Sequence, residues 1–338
     1  MCGARGWPYA LGMTIDGQTA PHAIFGGMER AEFERLAREL TGYCYRMLGS
    51  PFDAEDAVQD TMVRAWREFD SFEGRSSLRT WLHRIATNVC IDMLRKRSRR
   101  SVPMELEPPT RAEGAQIPQP LSERSWVLPI PDAKLAGGNA DPAEQVVSRE
   151  TVRLAFVAAL QRLTPRQRAA LILRDVLQHS AAETAELLGT TVASANSALQ
   201  RARAAVPSID ENDAAPGDAD PALLAEYVAA FESYDVPRLT ALLRSDAVNS
   251  MPPLPLWLRG QDEIRVWMLG PGSECRGSRL LPTSANGCSA FAQYRPDGRG
   301  GYHTWALQVL ETDGSSITGL HCHVFPELFT YFGFPAIL

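Results

Sequence analysis

The apolar residues of this chain follow a helical period in its first two thirds and a strand period near its C-terminus. In residues 53–69 and 78–93, apolar side chains recur every three or four positions, which predicts amphipathic helices. Residues 144–206 show the same period. From residue 289 onward, apolar and polar residues alternate in short runs between turns, which predicts strands. Helices followed by strands indicate helical domains and a separate α+β domain. The stripe predicted to be buried in the first helix comprises Ala54, Ala57, Val58, Met62, Ala65, Trp66 and Phe69.

Start and stop signals divide the second helical stretch into three helices. The sequence TPRQ at 164–167 predicts a hydroxyl cap, a proline at the first helical position and a capping-box Gln, and SAAE at 180–183 predicts a second capping box. Gly189 predicts a left-handed stop before the third helix. Short helices around a turn, with Arg201 and Arg203 on the last helix, are typical of a DNA-binding helix-turn-helix. An ordinary three-helix bundle shows the same pattern, so both interpretations stay open here.

Prolines and glycines mark the boundaries between these blocks. One segment is too proline-rich for a packed core, although its apolar island WVLPI at 126–130 is a candidate for docking on a neighbouring domain. Met28 competes with Met1 as the true start. We expect six segments: 1–27, a disordered N-terminal extension; 28–100, a helical domain; 101–143, a proline-rich linker; 144–206, a second helical domain; 207–219, an acidic linker; and 220–338, an α+β domain.

Charge is distributed unevenly along the chain. The net charge of −6 is unusual for a protein that binds nucleic acid. However, residues 79–100 hold seven Lys and Arg against one Asp, whereas residues 217–338 hold eight Arg against thirteen Asp and Glu. The first of these segments is suited to phosphate and the second is not. The six cysteines form no C-x-x-C pair, which argues against a zinc ribbon and indicates a reducing cytoplasm. No apolar run is long enough to span a membrane, and the N-terminus lacks the pattern of a signal peptide.

Two surfaces of the first helical domain are candidates for binding. Asp56, Gln59, Asp60 and Val63 share one helix face, and carboxylates one turn apart repel each other slightly. Attraction to the helix N-terminus explains the carboxylate of Asp56 in the first turn but not that of Asp60. A docking face for a basic partner is the alternative explanation, and the two stay equally open here. The second surface combines aromatic residues with a cationic helix, which suits single-stranded DNA. A buried Trp81 and a solvated basic helix end are the simpler alternatives there.

Three motifs occur in order and carry a resemblance: DAEDAVQDTMVRAW, TWLHRIATNVCIDMLRKR and LTPRQRAALILRDV with SAAETAELLGTTVASANSALQRAR. Together they resemble regions 2 and 4 of sigma-70-type transcription initiation factors, in the extracytoplasmic-function group. The tail, with MPPLPLWLRGQDEIRVWMLGPG and FAQYRPDGRGGYHTWALQVLE, resembles the SnoaL-like branch of the NTF2 fold. The resemblance implies a multidomain fold. It comprises two all-α sigma domains, a region 2 bundle and a region 4 helix-turn-helix, and a C-terminal α+β cone domain.

The resemblance also implies partners and sites. The partners are core RNA polymerase, through its β′ clamp helices and β flap, and promoter DNA. The polymerase would contact Asp56, Gln59, Asp60 and Val63. The −10 element, with one base flipped out, would contact Phe72, Arg84, Asn88, Arg95, Lys96 and Arg97. The −35 element would contact Asn196, Ser197, Gln200, Arg201 and Arg203. The chain departs from common members of the family at Asn196 and Ala198, where a basic residue is usual, so its −35 preference is expected to differ.

The C-terminal domain allows two functional classes. Some SnoaL-like proteins are ring-closing enzymes that use an Asp–His pair, whereas a regulatory domain would contact the sigma domains and bind a small ligand. We favour the regulator, with no enzyme activity and no cofactor. His303, His321 and His323 invite a metal site, but no carboxylate is obviously placed with them, so none is expected. A separate anti-sigma protein is a further candidate partner, and a DNA-binding repressor with a ligand domain is the alternative function. The candidate ligand-pocket residues are Trp257, Tyr294, His303, Trp305, His321 and His323.

Overall fold

The computed structural model describes residues 30–74, 76–96, 99–135, 150–206 and 219–338. The expected disordered extension at 1–27, Arg97 and parts of both linkers lie outside these ranges. The chain divides into two compact units. In the first unit the helices are α1 (Arg30–Leu48), α2 (Pro51–Glu68), α3 (Leu78–Arg95), α6 (Pro165–Leu171), α7 (Ala181–Leu187) and most of α8 (Val192–Ala205). The short helices α4 (Pro103–Leu106) and α5 (Leu154–Gln161) belong to the second unit.

Hydroxyl caps set the starts of the helices in the first unit. Ser50 caps α2, which begins at Pro51 rather than at the predicted Asp53, and Ser77 caps α3. Both predicted capping boxes are present, at Thr164 and at Ser180. Side chains that are fully buried or nearly so, such as Leu40, Val58 and Leu82, give α1, α2 and α3 a common core.

The helix-turn-helix has two further backbone features. After α6 the chain continues as a π-helix over Ile172–Val176, and Gln178 then takes a φ of 56°. Gly189 has a φ of 57° between α7 and α8, as the sequence predicts. These turns bring α8 onto the outside of the unit, where its side chains at 192–194, 196 and 200 are exposed.

A sheet packed against helices forms the C-terminal domain. It holds α9 (Pro221–Glu232), α10 (Val236–Ala241), β1 (Leu243–Ser250), β2 (Trp257–Arg259), α11 (Gln261–Leu269), β3 (Arg279–Ala285), β4 (Cys288–Pro296), β5 (Tyr302–Thr312), β6 (Ile317–His323) and α12 (Pro326–Tyr331). In the described residues the strand order is β2-β1-β6-β5-β4-β3, and only β1 and β6 pair in parallel. Tyr227, Phe231 and Trp267 from the helices share one core with Phe291, Leu310 and Leu320 from the sheet.

The linker differs from its predicted form. Residues 99–133 carry many prolines but lie in the same compact unit as the C-terminal domain. The apolar island is completely enclosed, because Trp126, Leu128 and Ile130 are all 0% exposed. Backbone hydrogen bonds to the sheet replace the regular structure that the prolines prevent, as at Thr110 N–H to the Trp257 carbonyl (2.8 Å). Among the described residues, no helix combines the length and the apolar character that crossing a membrane requires.

Candidate nucleic-acid interface

The outer face of α2 carries the four residues predicted to bind polymerase. Asp56, Gln59 and Asp60 are exposed, and Val63 is half-buried. Positions three, four and seven residues apart lie on one side of a helix, so the four side chains form one continuous surface. We refer to it below as the α2 face.

Trp66 extends the α2 face, contrary to its predicted place in the buried stripe. Its side chain is 44% exposed, whereas Ala54, Ala57 and Ala65 of that stripe are fully buried. The sequence contained the signal: Trp66 is seven residues from Gln59, which returns it to the same side of the helix after two turns. An exposed tryptophan next to carboxylates is the kind of side chain that dominates protein interfaces.

An aromatic cluster lies before α3. The Phe72 ring is 5.0 Å from the Trp81 ring and 6.3 Å from the Phe69 ring, measured between centroids. Trp81 is buried, as its core assignment predicts, while Phe72 is half-buried. Phe72 therefore presents an aromatic ring that packs on Trp81 and is partly open to solvent.

The exposed side of α3 presents polar and cationic groups. Arg84 and Asn88 are exposed one turn apart, and Arg95 and Lys96 are exposed at the C-terminal end of α3. The Arg95 guanidinium donates to Asp92 at 3.2 Å, so part of its charge is compensated in the free protein. Arg97 lies outside the described residues.

The helix-turn-helix packs directly on α1 and α3. The Arg168 guanidinium of α6 is buried and donates to the Met47 carbonyl of α1. The His83 ring of α3 is 5.6 Å from the ring of His179, which directly precedes α7. Burial lowers the pKa of His83 to about 4, and burial followed by the neighbouring His83 lowers the pKa of His179 to about 4. Both imidazoles are therefore uncharged at neutral pH where they meet, so Arg168 supplies the charged group of this contact.

The recognition helix α8 presents the residues predicted for the −35 element. Asn196, Gln200 and Arg203 are exposed, and Ser197 is half-buried. The exposed Arg201 guanidinium donates to the Ser197 hydroxyl at 2.7 Å, so two candidate base contacts bond to each other in the free protein. Val192 adds an apolar side chain, 43% exposed, at the start of the helix.

The six residues predicted for a ligand pocket are distributed over β2, β4, β5 and β6. His321 and His323 alternate along β6 with Leu320 and Cys322, which pack in the core beneath the helices. Adjacent residues of a strand point to opposite faces, so both histidines lie on the sheet face away from that core. His303 is exposed, and the Tyr294 hydroxyl donates to the Pro335 carbonyl at 2.7 Å. The Trp257 indole donates to the Glu107 carbonyl at 2.7 Å, and the Arg295 guanidinium lies 4.2 Å from the Trp305 ring centre.

Of the two β6 histidines, His321 has partners other than a metal, whereas neither ring nitrogen of the buried His323 has a hydrogen-bond partner. The His321 Nδ1 is 2.8 Å from the Ser250 hydroxyl, and its Nε2 is 3.5 Å from a Glu311 carboxylate oxygen. Burial lowers the pKa of His323 to about 3, which keeps that ring neutral. Within the part of the chain that the structure describes, no three His, Cys, Asp or Glu side chains are placed to hold a metal ion.

The interior of the C-terminal domain contains a linear series of hydrogen bonds between neutral side chains. The Tyr227 hydroxyl donates to Gln308 (2.7 Å), Gln308 donates to Gln293 (2.8 Å), and Gln293 donates to the Ser278 hydroxyl (3.0 Å). Burial raises the pKa of Tyr227 well above its ordinary value. Amides and hydroxyls at neutral pH are poor general acids and bases. This series of hydrogen bonds therefore does not supply the Asp–His pair of the enzymatic alternative.

Comparison with known proteins agrees with this geometry. Residues 33–100 match the family model of sigma-70 region 2, and residues 153–206 match that of sigma-70 region 4. The chain is 43% identical over 313 residues to the ECF RNA polymerase sigma factor SigG of Mycobacterium tuberculosis, covering 90% of this chain and 83% of SigG. It is 32% identical over 254 residues to SigJ of the same organism, covering 72% and 73% of the two chains.

A solved structure matches nearly the whole fold. The crystal structure of Mycobacterium tuberculosis SigJ superposes with a TM-score of 0.58 at 24% identity, covering 91% of this chain and 100% of SigJ. The fold is therefore that of helical sigma domains followed by a sheet-containing domain, and the alternative of a repressor is superseded. The chain belongs to the extracytoplasmic-function sigma factors of the sigma-70 family, which is not an enzyme family and whose members bind core RNA polymerase and direct it to promoter DNA.

Proposed function

We propose that this sigma factor docks on the polymerase through the α2 face, including Trp66. The observation that carries the proposal is the coincidence of exposed carboxylates with a half-exposed tryptophan on one side of a single helix. Complementary charge speeds the encounter with a basic partner such as the β′ clamp helices, and the aromatic ring supplies apolar contact area.

The −10 element is assigned to the surface formed by Phe72 and α3. The supported Phe72 ring offers a stacking platform for an unpaired base, while Asn88 offers amide hydrogen bonds to a base edge. Arg84, Arg95 and Lys96 would contact the phosphates, which contributes affinity and salt dependence rather than sequence preference.

The −35 element is assigned to the exposed side of α8. Asn196 and Gln200 can each pair with adenine through two hydrogen bonds, and Arg201 can pair with guanine after leaving Ser197. Arg203 would contact the backbone. With Asn at 196 and Ala at 198 this surface is less basic than is usual in the family, so its affinity depends more on base contacts.

The C-terminal domain is assigned a regulatory role without catalysis. Its interior contains a series of hydrogen bonds among neutral groups, and the domain binds the linker that joins the two DNA-binding modules. Holding that linker gives the domain a direct means of tuning initiation. Binding of a small-molecule ligand by this domain and binding of a separate anti-sigma protein both remain predictions.

Asp60→Arg tests the docking assignment. It reverses a charge on the α2 face, and the affinity for core polymerase is expected to fall about tenfold or more. The matched control is Glu68→Arg, which makes the same charge change at an exposed position on the other side of α2. Affinity is measured by fluorescence titration with core enzyme, and circular dichroism checks the fold. If both variants bind as the unmodified protein does, the α2 face is not the docking surface.

A further inference from the structure

The linker between regions 2 and 4 is bound along the C-terminal sheet, first at the edge strand β2. The Trp257 indole donates to the Glu107 carbonyl at 2.7 Å, and the Thr110 N–H donates to the Trp257 carbonyl at 2.8 Å. An edge strand has unpaired backbone groups on its outer side, and the linker satisfies one of them here.

The linker then crosses the domain. The Ala112 N–H donates to the Glu263 carboxylate at 2.6 Å, and the Ala112 side chain is 2% exposed within the core of the C-terminal domain. Further on, the Leu121 N–H donates to the Pro253 carbonyl at 2.9 Å. The linker is therefore part of the folded domain and contributes to its core.

The linker reaches the opposite edge of the sheet at the β3–β4 turn. Pro131 forms an isolated bridge with Ala285, and the Gly287 N–H donates to the Asp132 carboxylate at 2.8 Å. The Ile130 N–H donates to the Asn286 side-chain oxygen at 2.9 Å. Both edges of the sheet are thus occupied by the same linker.

Asn286 also bonds to the chain where region 4 begins. Its side-chain amide nitrogen donates to the carbonyl of Val152, one residue before the region 4 match. The next residue, Arg153, donates to the Cys288 thiol at 3.6 Å. Asn286 is 0% exposed and has a φ of 55°, a conformation that Asn tolerates better than most residues. One buried amide therefore joins Ile130 to Val152, and we call this the Asn286 bridge.

The bridge shortens the tether between the two DNA-binding modules. About 20 residues separate Ile130 from Val152, and extended chain spans roughly 3.3 Å per residue. By joining these two residues, the bridge shortens the maximum length of the linker between the modules by roughly 65 Å. The −10 and −35 elements are roughly 25 base pairs apart, which is roughly 85 Å of duplex at 3.4 Å per pair. In the first unit, by contrast, the two modules are in contact at His83 and His179.

We propose that Asn286 is a positioning residue that restrains initiation, because its side chain ties the linker exit to the region 4 entry until the C-terminal domain releases them. This inference rests on the proposed regulatory role of that domain. Regulation then depends on the Asn286 side-chain amide at the β3–β4 turn. A signal would act by breaking or strengthening its hydrogen bonds to Ile130 and Val152.

Asn286→Gly tests the bridge in the full-length chain. Glycine accepts the left-handed backbone and removes only the side-chain amide. The control is Ser315→Gly, which removes an exposed side chain from the β5–β6 turn of the same domain. Hydrogen exchange at the Ile130 amide is expected to accelerate roughly five- to thirtyfold, as loss of one or two hydrogen bonds implies. Run-off transcription with core polymerase on a genomic promoter pool is expected to rise, and the control is expected to change neither quantity.

Two results would overturn the inference. Unchanged exchange at Ile130 would show that the bridge does not hold the linker. Faster exchange without any rise in transcription would show that the bridge does not restrain initiation.

Trp257→Phe separates this inference from the proposed function, because it weakens the linker contact at the other edge of the sheet. If Trp257→Phe alters transcription and Asn286→Gly does not, the C-terminal domain regulates initiation but not through Asn286. If both variants loosen the linker and neither alters transcription, the regulatory role itself fails.

Discussion

At the scale of single residues, three buried histidines connect the fold to pH. Burial lowers the pKa of His83 and His179 to about 4 and that of His323 to about 3, each from an ordinary value near 6.5. The folded protein keeps these rings neutral, because a charge there would be poorly solvated. The unfolded chain has no such restriction, so the two states bind different numbers of protons in mild acid.

Acidification is therefore expected to destabilise the protein. These imidazoles take up protons below pH 6.5 in the unfolded chain but only near pH 4 in the folded chain. Their contribution to the free energy of unfolding is therefore fully present above pH 6.5 and is lost as the pH falls. Between pH 7 and pH 5 the loss is about 2 kcal/mol per imidazole. Urea unfolding at the two pH values measures it. His179→Gln should reduce the pH dependence and the exposed-site control His303→Gln should not; equal stability at both pH values would contradict the argument.

Also at this scale, Trp66 shows where a residue's chemical type misleads. Apolar spacing predicts Trp66 in the buried stripe, four residues after Met62, and aromatic residues are usually buried. Its angular position on the helix, next to Gln59, was the better guide.

Trp66→Ala is expected to weaken binding to core polymerase by tenfold or more, since exposed tryptophans often dominate interfaces. Its stability should change little, because the side chain is already 44% exposed. Fluorescence titration measures the affinity and urea unfolding the stability. A variant with unchanged affinity would limit the docking surface to the four residues at 56, 59, 60 and 63.

At the scale of elements, local caps account for the correctly predicted starts of α6 and α7. The Ser180 hydroxyl accepts from the Glu183 N–H at 3.2 Å, and the Glu183 carboxylate accepts from the Ser180 N–H at 2.8 Å. These contacts involve residues three positions apart, so the sequence specifies them without any tertiary information. The face of each strand that meets the helices is not specified in this way, and the ligand pocket with its two β6 histidines stays a prediction.

Ser180→Ala removes one half of the capping box. The free energy of unfolding is expected to fall by about 1 kcal/mol, because the first turn of α7 loses an acceptor for one of its N–H groups. Urea unfolding measures the change. Ser194→Ala, an exposed position within the first turn of α8, serves as the control and should have a much smaller effect. Equal effects of the two substitutions would rule out capping as the cause.

At the scale of the whole molecule, the first unit shows a closed arrangement. The helix-turn-helix is held on α1 and α3 by the Arg168 hydrogen bond and by the His83–His179 contact. Two modules in contact cannot engage promoter elements that lie roughly 85 Å apart on the duplex. Binding to the promoter therefore requires the two modules to separate.

Energy transfer within the first unit tests this separation. Fluorophores at the exposed positions Glu68 on α2 and Glu186 on α7 should show efficient transfer in the free protein and little transfer in the complex with polymerase and promoter. A second pair at Arg35 and Glu68, within the first helical domain, should not change. If transfer between Glu68 and Glu186 persists in complexes that are producing transcripts, the closed arrangement is not an inactive state.

The sequence by itself determined the helical blocks, their caps, the alternation in the strands and the order of motifs that places the chain in its family. Each of these depends on residues a few positions apart, so periodicity and local hydrogen bonding specify them. Tertiary structure decided the rest. The docking of a proline-rich linker on both edges of a sheet, and the bridge that Asn286 makes between Ile130 and Val152, join residues more than a hundred positions apart along the chain. Such contacts arise from complementary surfaces that form only when the chain has folded.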